Sequence, residues 1–410
     1  MPQADIVVYN IGELVTFHWG PQARPRPENA GILRHAGVAI RDGVIVEAGE
    51  SEWVRGRYTA RVYIDAGGRL AMPGLVDTHT HPRVAGSRED ELELKASGVG
   101  YDEIARRGGG IRRTMRDTMN TGDRELLGLL EARLDKMLHY GTTTVEAKTG
   151  YGATVSEDLR HIRILASLPP RPQQVVKTVL AHVPPGDDRK NYIEEFKSRA
   201  IPEAARHGFN YADVFCDNVA FTPSESHDIL AEARRHGLRL RAHVEQLSRQ
   251  GCTQAIAPLG PDALDHLDRA TSTEAEILAK HRITAGLLPT STLAMFDDAR
   301  PPVDEFRRHS VYMALGSDYN PNNRTPNMQT VIALAVYLYR LTPLEALAAA
   351  TVNAAKSLGL EDTTGSIAPG RRADIIIWEH PGYKWIPYEW TGDHVDTVIA
   401  SGAIAKNRLS

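Results

Sequence analysis

The run Gly74-Leu75-Val76-Asp77-Thr78-His79-Thr80-His81 sets two imidazoles two residues apart behind an apolar stretch. Residues two apart in a β-strand face the same way, so His79 and His81 would present both rings to one point. Two neutral imidazoles on a rigid strand are ready ligands for zinc or iron. Taken alone, such a pair is more often two surface or core histidines. Further groups of matching kind alter that weighting. His243 ends the strand-like LRLRAH, His266 follows DALD, and Asp318 closes YMALGSD. Three imidazoles and a carboxylate form a set accepted by metals that activate water. Each histidine could instead be a core residue satisfied by the backbone, but that does not explain why each stands at a strand end. A carboxylate closing an apolar strand, as Asp318 does, is costly to bury without a metal or hydrogen bonds.

The elements that must position these residues are legible as eight short strand candidates. They are 75–81, 141–148, 175–182, 212–217, 238–245, 262–267, 283–289 and 312–318, with 262–267 the weakest. Helical segments separate most of them. Segment 123–139 carries Leu126, Leu127, Leu130, Leu134, Met137 and Leu138 near helical period. Thr222-Pro223 and Thr342-Pro343 are helix starts, an N-cap followed by proline. Eight βα units with chemistry at the strand C-termini describe an α/β fold, a (β/α)₈ TIM barrel. The two ends differ from this middle. Runs 5–17, 37–48 and 61–72 are β-rich and broken by Asp-Gly and Gly-Gly pairs, and 365–380 and 395–407 repeat the style. The expectation is a small composite β-sandwich domain from 1–70 and 362–410 beside a catalytic barrel spanning 71–361.

Bulk properties exclude several classes. Of 410 residues, 42% are hydrophobic and 24% charged, as in ordinary globular proteins. A formal net charge of −4 gives no field favouring nucleic acid or an anionic membrane. No signal peptide or spanning apolar run is visible. Cys216 and Cys252 are too few for a disulfide framework and fit a reducing compartment, so a cytoplasmic enzyme is expected.

The whole pattern resembles the amidohydrolase superfamily and, within it, the imidazolonepropionase family. The resemblance rests on PGLVDTHTH, GSRE (86–89), GGGI (108–111), YGTTTVEAKTGYG (140–152), AHVPP (181–185), HVEQLS (243–248), LDHL (264–267), SDYNP (317–321) and TVNAA (351–355). It spans nearly the whole chain. It implies one divalent or trivalent metal ion, zinc or iron, held by His79, His81, His243 and Asp318. It makes Asp318 and His266 the catalytic pair, with Asp318 handling the water proton and His266 facing the substrate. It assigns Arg88 to a substrate carboxylate, a task suited to a forked guanidinium. Tyr101, Tyr151, His182 and Gln246 would line the pocket, and Asn320 would bind substrate or product. Without the resemblance, Arg88 reads as a salt bridge with Glu89 or Asp90, Tyr151 as a loop aromatic and His182 as a core residue. Lys148, near a strand end, reads as a structural lysine rather than a metal bridge. The implied reaction is hydrolysis of 4-imidazolone-5-propionate to N-formimino-L-glutamate in histidine degradation, by a homodimer acting on a small carboxylated cyclic amide.

The match departs in the pocket loops. Thr290-Ser291-Thr292-Leu293 follows LLP, and Asn322-Asn323-Arg324-Thr325-Pro326 follows SDYNP, bulkier and more basic than the family pattern. Gly186-Asp187 follows AHVPP, where the family usually has an acidic residue. Asn322, Asn323 and Arg324 thereby become candidate substrate contacts. Ligands kept while loops change is what a shift of substrate would look like. A hydantoin or thiohydantoin bearing a propionate, the latter with sulfide release, is the alternative substrate. Deamination of a heterocyclic base stands further off, because it gives Arg88 no task.

Overall fold

A computed structural model describes residues 1–186 and 188–409, apart from the side chains of residues 101, 102 and 105. Five strands open the chain: β1 (Gln3–Val15), β2 (Ile32–Arg41), β3 (Val44–Glu50), β4 (Thr59–Asp65) and β5 (Leu70–Pro73). Then come β6 (Leu75–Thr80), β7 (Thr142–Lys148), β8 (Gln174–Ala181) and β9 (Tyr211–Cys216). After these follow β10 (Arg239–Val244), β11 (Ala263–His266), β12 (Thr284–Leu287) and β13 (Met313–Leu315). The last strands are β14 (Ile375–Trp378), β15 (Val395–Ala400) and β16 (Ala403–Asn407).

Both termini build one mixed sheet in the order β16-β15-β14-β5-β1-β2-β3, with β4 also paired to β1. The β2–β3 hairpin turns at Asp42-Gly43, both with positive φ, 51° and 75°, which suits the twist of the flanking strands. Ile6, Val8, Ile40, Ile375 and Ile399 form part of its separate apolar core. The sheet reaches Pro73, so chain from the small sheet runs straight into the first barrel strand through Gly74.

The eight strands expected in the middle are all present, including the short one ending at His266. They are parallel and run in sequence order from β6 to β13. Closure occurs beyond β13, where Thr80 bridges Tyr319 in parallel. There Asp318 N donates to His79 O at 2.9 Å and His81 N donates to Tyr319 O at 2.9 Å. The barrel seam itself therefore sets the His-x-His strand against Asp318. On the outside, the helix Asp123–His139 matches its apolar period, burying Leu126, Leu130, Leu134 and Met137. Thr222 and Thr342 each close a capping box, with Glu225 and Glu345.

Branched aliphatic layers ordinarily fill such a barrel. Here Glu146, Lys148, Asp213, Arg241 and Asp265 are fully buried and bond to one another. Gly286 on β12 makes room for this network, since a Cβ there would lie 2.0 Å from Asp265 Oδ1.

One expectation fails. Cys216 and Cys252 are joined in a disulfide, with no free cysteine left. The end of β9 and the start of the helix Cys252–Ile256 bring their Cα atoms to 6.0 Å, a separation a bridge can span. A sequence separation of 36 hides that proximity. Among the described residues, no helix is long and apolar enough to cross a membrane.

Candidate active site

The strand ends of β6, β10 and β11 and the segment after β13 deliver His79, His81, His243, His266 and Asp318 to one mouth of the barrel. Ring centroids of His79 lie 5.3 Å from His81, 4.4 Å from His243 and 5.4 Å from His266. Asp318 Oδ1 is 3.4 Å from His81 Nε2 and 3.7 Å from His79 Nε2. Ligand-type atoms of His79, His81 and Asp318 fall within 4.8 Å of one another, as do those of His79, His243 and His266. The backbone here is unusual. Tyr151, Glu245, His266, Leu267 and Asp318 all take positive φ, between 47° and 75°. Non-glycine residues seldom adopt this region, and when they do they concentrate at functional sites.

The orientation of two imidazoles comes from the polar barrel interior. His79 Nδ1 donates to Asp265 Oδ2 at 2.9 Å, and His243 Nδ1 donates to Asp213 Oδ1 at 3.0 Å. Each bond leaves the Nε2 lone pair facing the mouth, and both Nε2 atoms are buried without a partner among the described residues. Carboxylate support of this kind fixes tautomer and ring angle in metal-binding histidines. The carboxylates are held in turn. Arg241 donates to Asp265 at 2.9 and 3.1 Å, while Lys148 Nζ donates to Asp213 at 2.7 Å and Glu146 at 2.9 Å. Lys148 thus spends its charge on two carboxylates, in keeping with its structural reading.

Charge states follow from burial. Desolvation, with Lys148 and neighbouring imidazoles adding to it, holds His79 well below the usual histidine range. Burial also lowers His81 and His182, and brings His266 down to about 3. These four rings are neutral at pH 7, the form that can ligate a metal or donate one N–H. Burial alone would raise Asp213, but the facing His243 and Lys148 hold it below the carboxylate range. Asp318 behaves alike: burial pushes it up, and His81, His266 and Ser291 bring it down.

A cavity opens over these groups. It is lined by His81, His182, His243, His266 and Asp318, together with Arg88, Tyr151, Gln246, Asn320 and Asn322. His182 lies parallel to His81 at 5.4 Å and edge-on to Tyr151 at 4.5 Å. Asn320 donates to Asp318 Oδ1 at 2.9 Å. Arg88 is buried, yet its ion pair is with neither Glu89 nor Asp90. It forks onto Glu91, with Nε at 2.9 Å and Nη2 at 2.7 Å from Oε2. Two expected contacts fall outside the lining. Arg324 is exposed, and Asn323 turns its amide inward to Ser317 O at 2.6 Å. The turn before it is closed by main-chain bonds, Asn320 N to Asn323 O at 2.9 Å and Asn323 N to Asn320 O at 3.0 Å. The Tyr101 side chain lies outside the described residues.

Other lining residues had not been singled out: Ile111, Phe215, Leu247 and Met295. Ser291, from the divergent 290–293 stretch, also lines the cavity within the helix Pro289–Ala294. Behind Asn322 stands a second cation, Lys95, which donates to Asn322 Oδ1 and to Ala294 O. Burial, with Arg88 nearby, lowers it to about 8. Only the proximity of Lys95 to a helix turn 199 residues later reveals it.

A parallel barrel with a mixed sheet beside it is a fold found in known proteins. The amidohydrolase family matches residues 70–405, and the chain belongs to that family. Its curated relatives point further. It is 45% identical over 397 residues to the imidazolonepropionase of Pyrobaculum arsenaticum, covering 97% of this chain and 98% of that one. To the imidazolonepropionase of Bacillus velezensis it is 36% identical, over 99% of this chain and 98% of the other. Among solved structures it shares the fold of a Xanthomonas campestris adenosine deaminase with bound zinc. The TM-score there is 0.71 at 18% identity, over 100% and 94% of the two chains. An Arthrobacter aurescens atrazine chlorohydrolase complexed with zinc gives 0.70 at 18% identity, over 98% and 96%.

Proposed function

We propose that this chain hydrolyses the ring C–N bond of 4-imidazolone-5-propionate to give N-formimino-L-glutamate. The observation that carries this reading is one cavity holding both poles: a ligand cluster at its floor and the buried Arg88 in its wall. The relatives named above support the same substrate.

The cluster fits one metal ion, zinc or iron. The unpartnered, inward-facing Nε2 atoms of His79 and His243 are what a cation would satisfy, and His81 and Asp318 would complete the set. When bound, such an ion supplies Lewis acidity and makes water nucleophilic near neutral pH. The remaining work belongs to the side chains. Asp318, ionised and oriented by Asn320, accepts the proton of the attacking water and returns it to the leaving ring nitrogen. Neutral His266 donates an N–H to the carbonyl oxygen as it gains charge. Arg88 binds the propionate carboxylate, with Lys95 and Asn322 deepening the positive end of the cavity. The barrel 71–361 serves as catalytic domain and 1–70 with 362–410 as its β companion. A homodimer and a cytoplasmic location complete the reading. Location rests on the metabolic role of the relatives, since the disulfide removes the cysteine argument.

A second reading, hydrolysis of another ring bearing a propionate, is favoured by Ser291 and Asn322. Both come from the divergent loops and both line the cavity.

Fresh 4-imidazolone-5-propionate, prepared from urocanate, should lose its ultraviolet absorbance rapidly with the enzyme and slowly after chelator treatment. Metal-loaded protein that leaves the absorbance unchanged would move the assignment to the second reading. Arg88→Met should raise KM by about 10–100-fold, the loss of one charge-assisted hydrogen-bonded pair, with kcat little altered. A ring lacking the carboxylate should be turned over equally by both proteins. Thermal melting is needed alongside, because Glu91 loses its cationic partner in this variant and keeps the bond from Gly110 N.

A further inference from the structure

Apart from the residues that line the barrel cavity, the hairpin of β14 and β15 gathers Glu379, His380 and His394 at the base of its connecting loop. Glu379 and His380 directly follow β14, and His394 directly precedes β15. Glu379 N donates to His394 O at 3.0 Å, so the backbone fixes these residues opposite one another. One ligand-type atom from each lies within 4.8 Å of the other two.

The bonding of the two rings is informative. His394 Nε2 bonds to Thr391 O at 2.5 Å, which as a donor leaves Nδ1 as the lone-pair nitrogen. That Nδ1 closely meets Glu379 Oε1. A lone pair facing a carboxylate oxygen is repulsive unless a cation, a proton or a metal, lies between them. A histidine whose other N–H donates to a backbone carbonyl is the arrangement seen in metal ligands. His380 supplies the second observation. It is 6% exposed, and its Nε2 is buried with no hydrogen-bond partner among the described residues. Its ring sits 4.8 Å from that of His394 and is stacked on Trp385 at 5.6 Å. Glu389 Oε2, 4.0 Å from His380 Nδ1, offers a further oxygen.

We propose that Glu379, His380 and His394 form a second metal site, separate from the barrel centre, for a divalent transition-metal ion such as zinc. Two imidazoles and a carboxylate suit that class of ion. The ion would replace the proton that otherwise bridges His394 and Glu379, the pair opening to admit two bonds of about 2 Å, and would close the base of the 379–394 loop. That loop is also tied to the barrel, because Gln329 donates to Glu389 O at 2.7 Å and Asn327 donates to Gly392 O at 3.2 Å.

The test counts zinc. Metal-free protein reloaded with zinc and gel-filtered should carry two ions per chain by elemental analysis. His380→Ala and His394→Ala should each carry one, with turnover unchanged from the wild type. Glu379→Gln keeps the side-chain size and guards against misfolding. It should weaken uptake of the second ion while the circular dichroism spectrum stays native. One ion per wild-type chain would overturn the proposal, leaving a protonated His394–Glu379 ion pair. Equal zinc content in wild type and the histidine variants would overturn it equally. Neither readout depends on the substrate assigned to the barrel.

Discussion

Asp318→Asn should lower kcat by about 10²–10⁴-fold, the range for loss of a positioned general acid–base group. The substitution keeps the shape of the side chain and the course of the backbone. Asparagine tolerates the left-handed backbone that Asp318 adopts at φ 48°, and the main-chain bond to His79 O does not involve the side chain. The amide cannot take up a proton near neutral pH, so the step from water to leaving nitrogen loses its carrier. Metal content must be measured on the same preparation, because the amide is a weaker ligand than the carboxylate. Fully loaded protein retaining wild-type kcat would show that another group moves the proton. His266, which also lines the cavity, is neutral and held to about 3, too weak a base for that task at pH 7.

Lys148→Met should destabilise the fold by about 3–5 kcal/mol, the cost of breaking a buried ion pair by removing one partner. Lys148 Nζ is the cation shared by Glu146 and Asp213, all three without exposed surface. Methionine fills the space but leaves two carboxylates facing each other. Melting should fall by several degrees. Metal affinity should fall with it, by about 10–100-fold, since Asp213 is what aims His243. The pH dependence has a definite sign. Asp213 is held below its ordinary value in the folded wild type, so its stabilisation is present above the unfolded pKa and lost as pH falls through the folded one. The gap between wild type and variant should therefore be widest near neutrality and narrow in acid. Partial rescue by Glu146→Gln in the variant background would confirm charge as the cause. A variant as stable as wild type at pH 7 would show that the network contributes little.

Much of the candidate site was legible in the sequence because a parallel barrel writes its chemistry at strand ends. His79, His243 and His266 stand at the ends of short strands and His81 and Asp318 just past them, and eight such runs in a row determine which end of the barrel they share. Local chemistry also sufficed for the helix Asp123–His139 and for the threonine caps at 222 and 342, which depend only on neighbours three or four residues away. What tertiary structure alone decided is everything made by contacts between distant strands. Asp213 and Asp265 look like ordinary strand carboxylates until β9, β10 and β11 pair and turn them onto His243 and His79. Arg88 chose Glu91 because the helix Glu91–Ala96 returns that carboxylate to it, and Arg324 lies exposed just past the Asn320–Asn323 turn, whose last residue points inward in its place. The Cys216–Cys252 bridge and Lys95 behind Asn322 have the same origin. Side-chain direction at a strand end follows from a two-residue period along the chain. Its partner is fixed by packing across the chain, and no periodicity in the sequence records that distance.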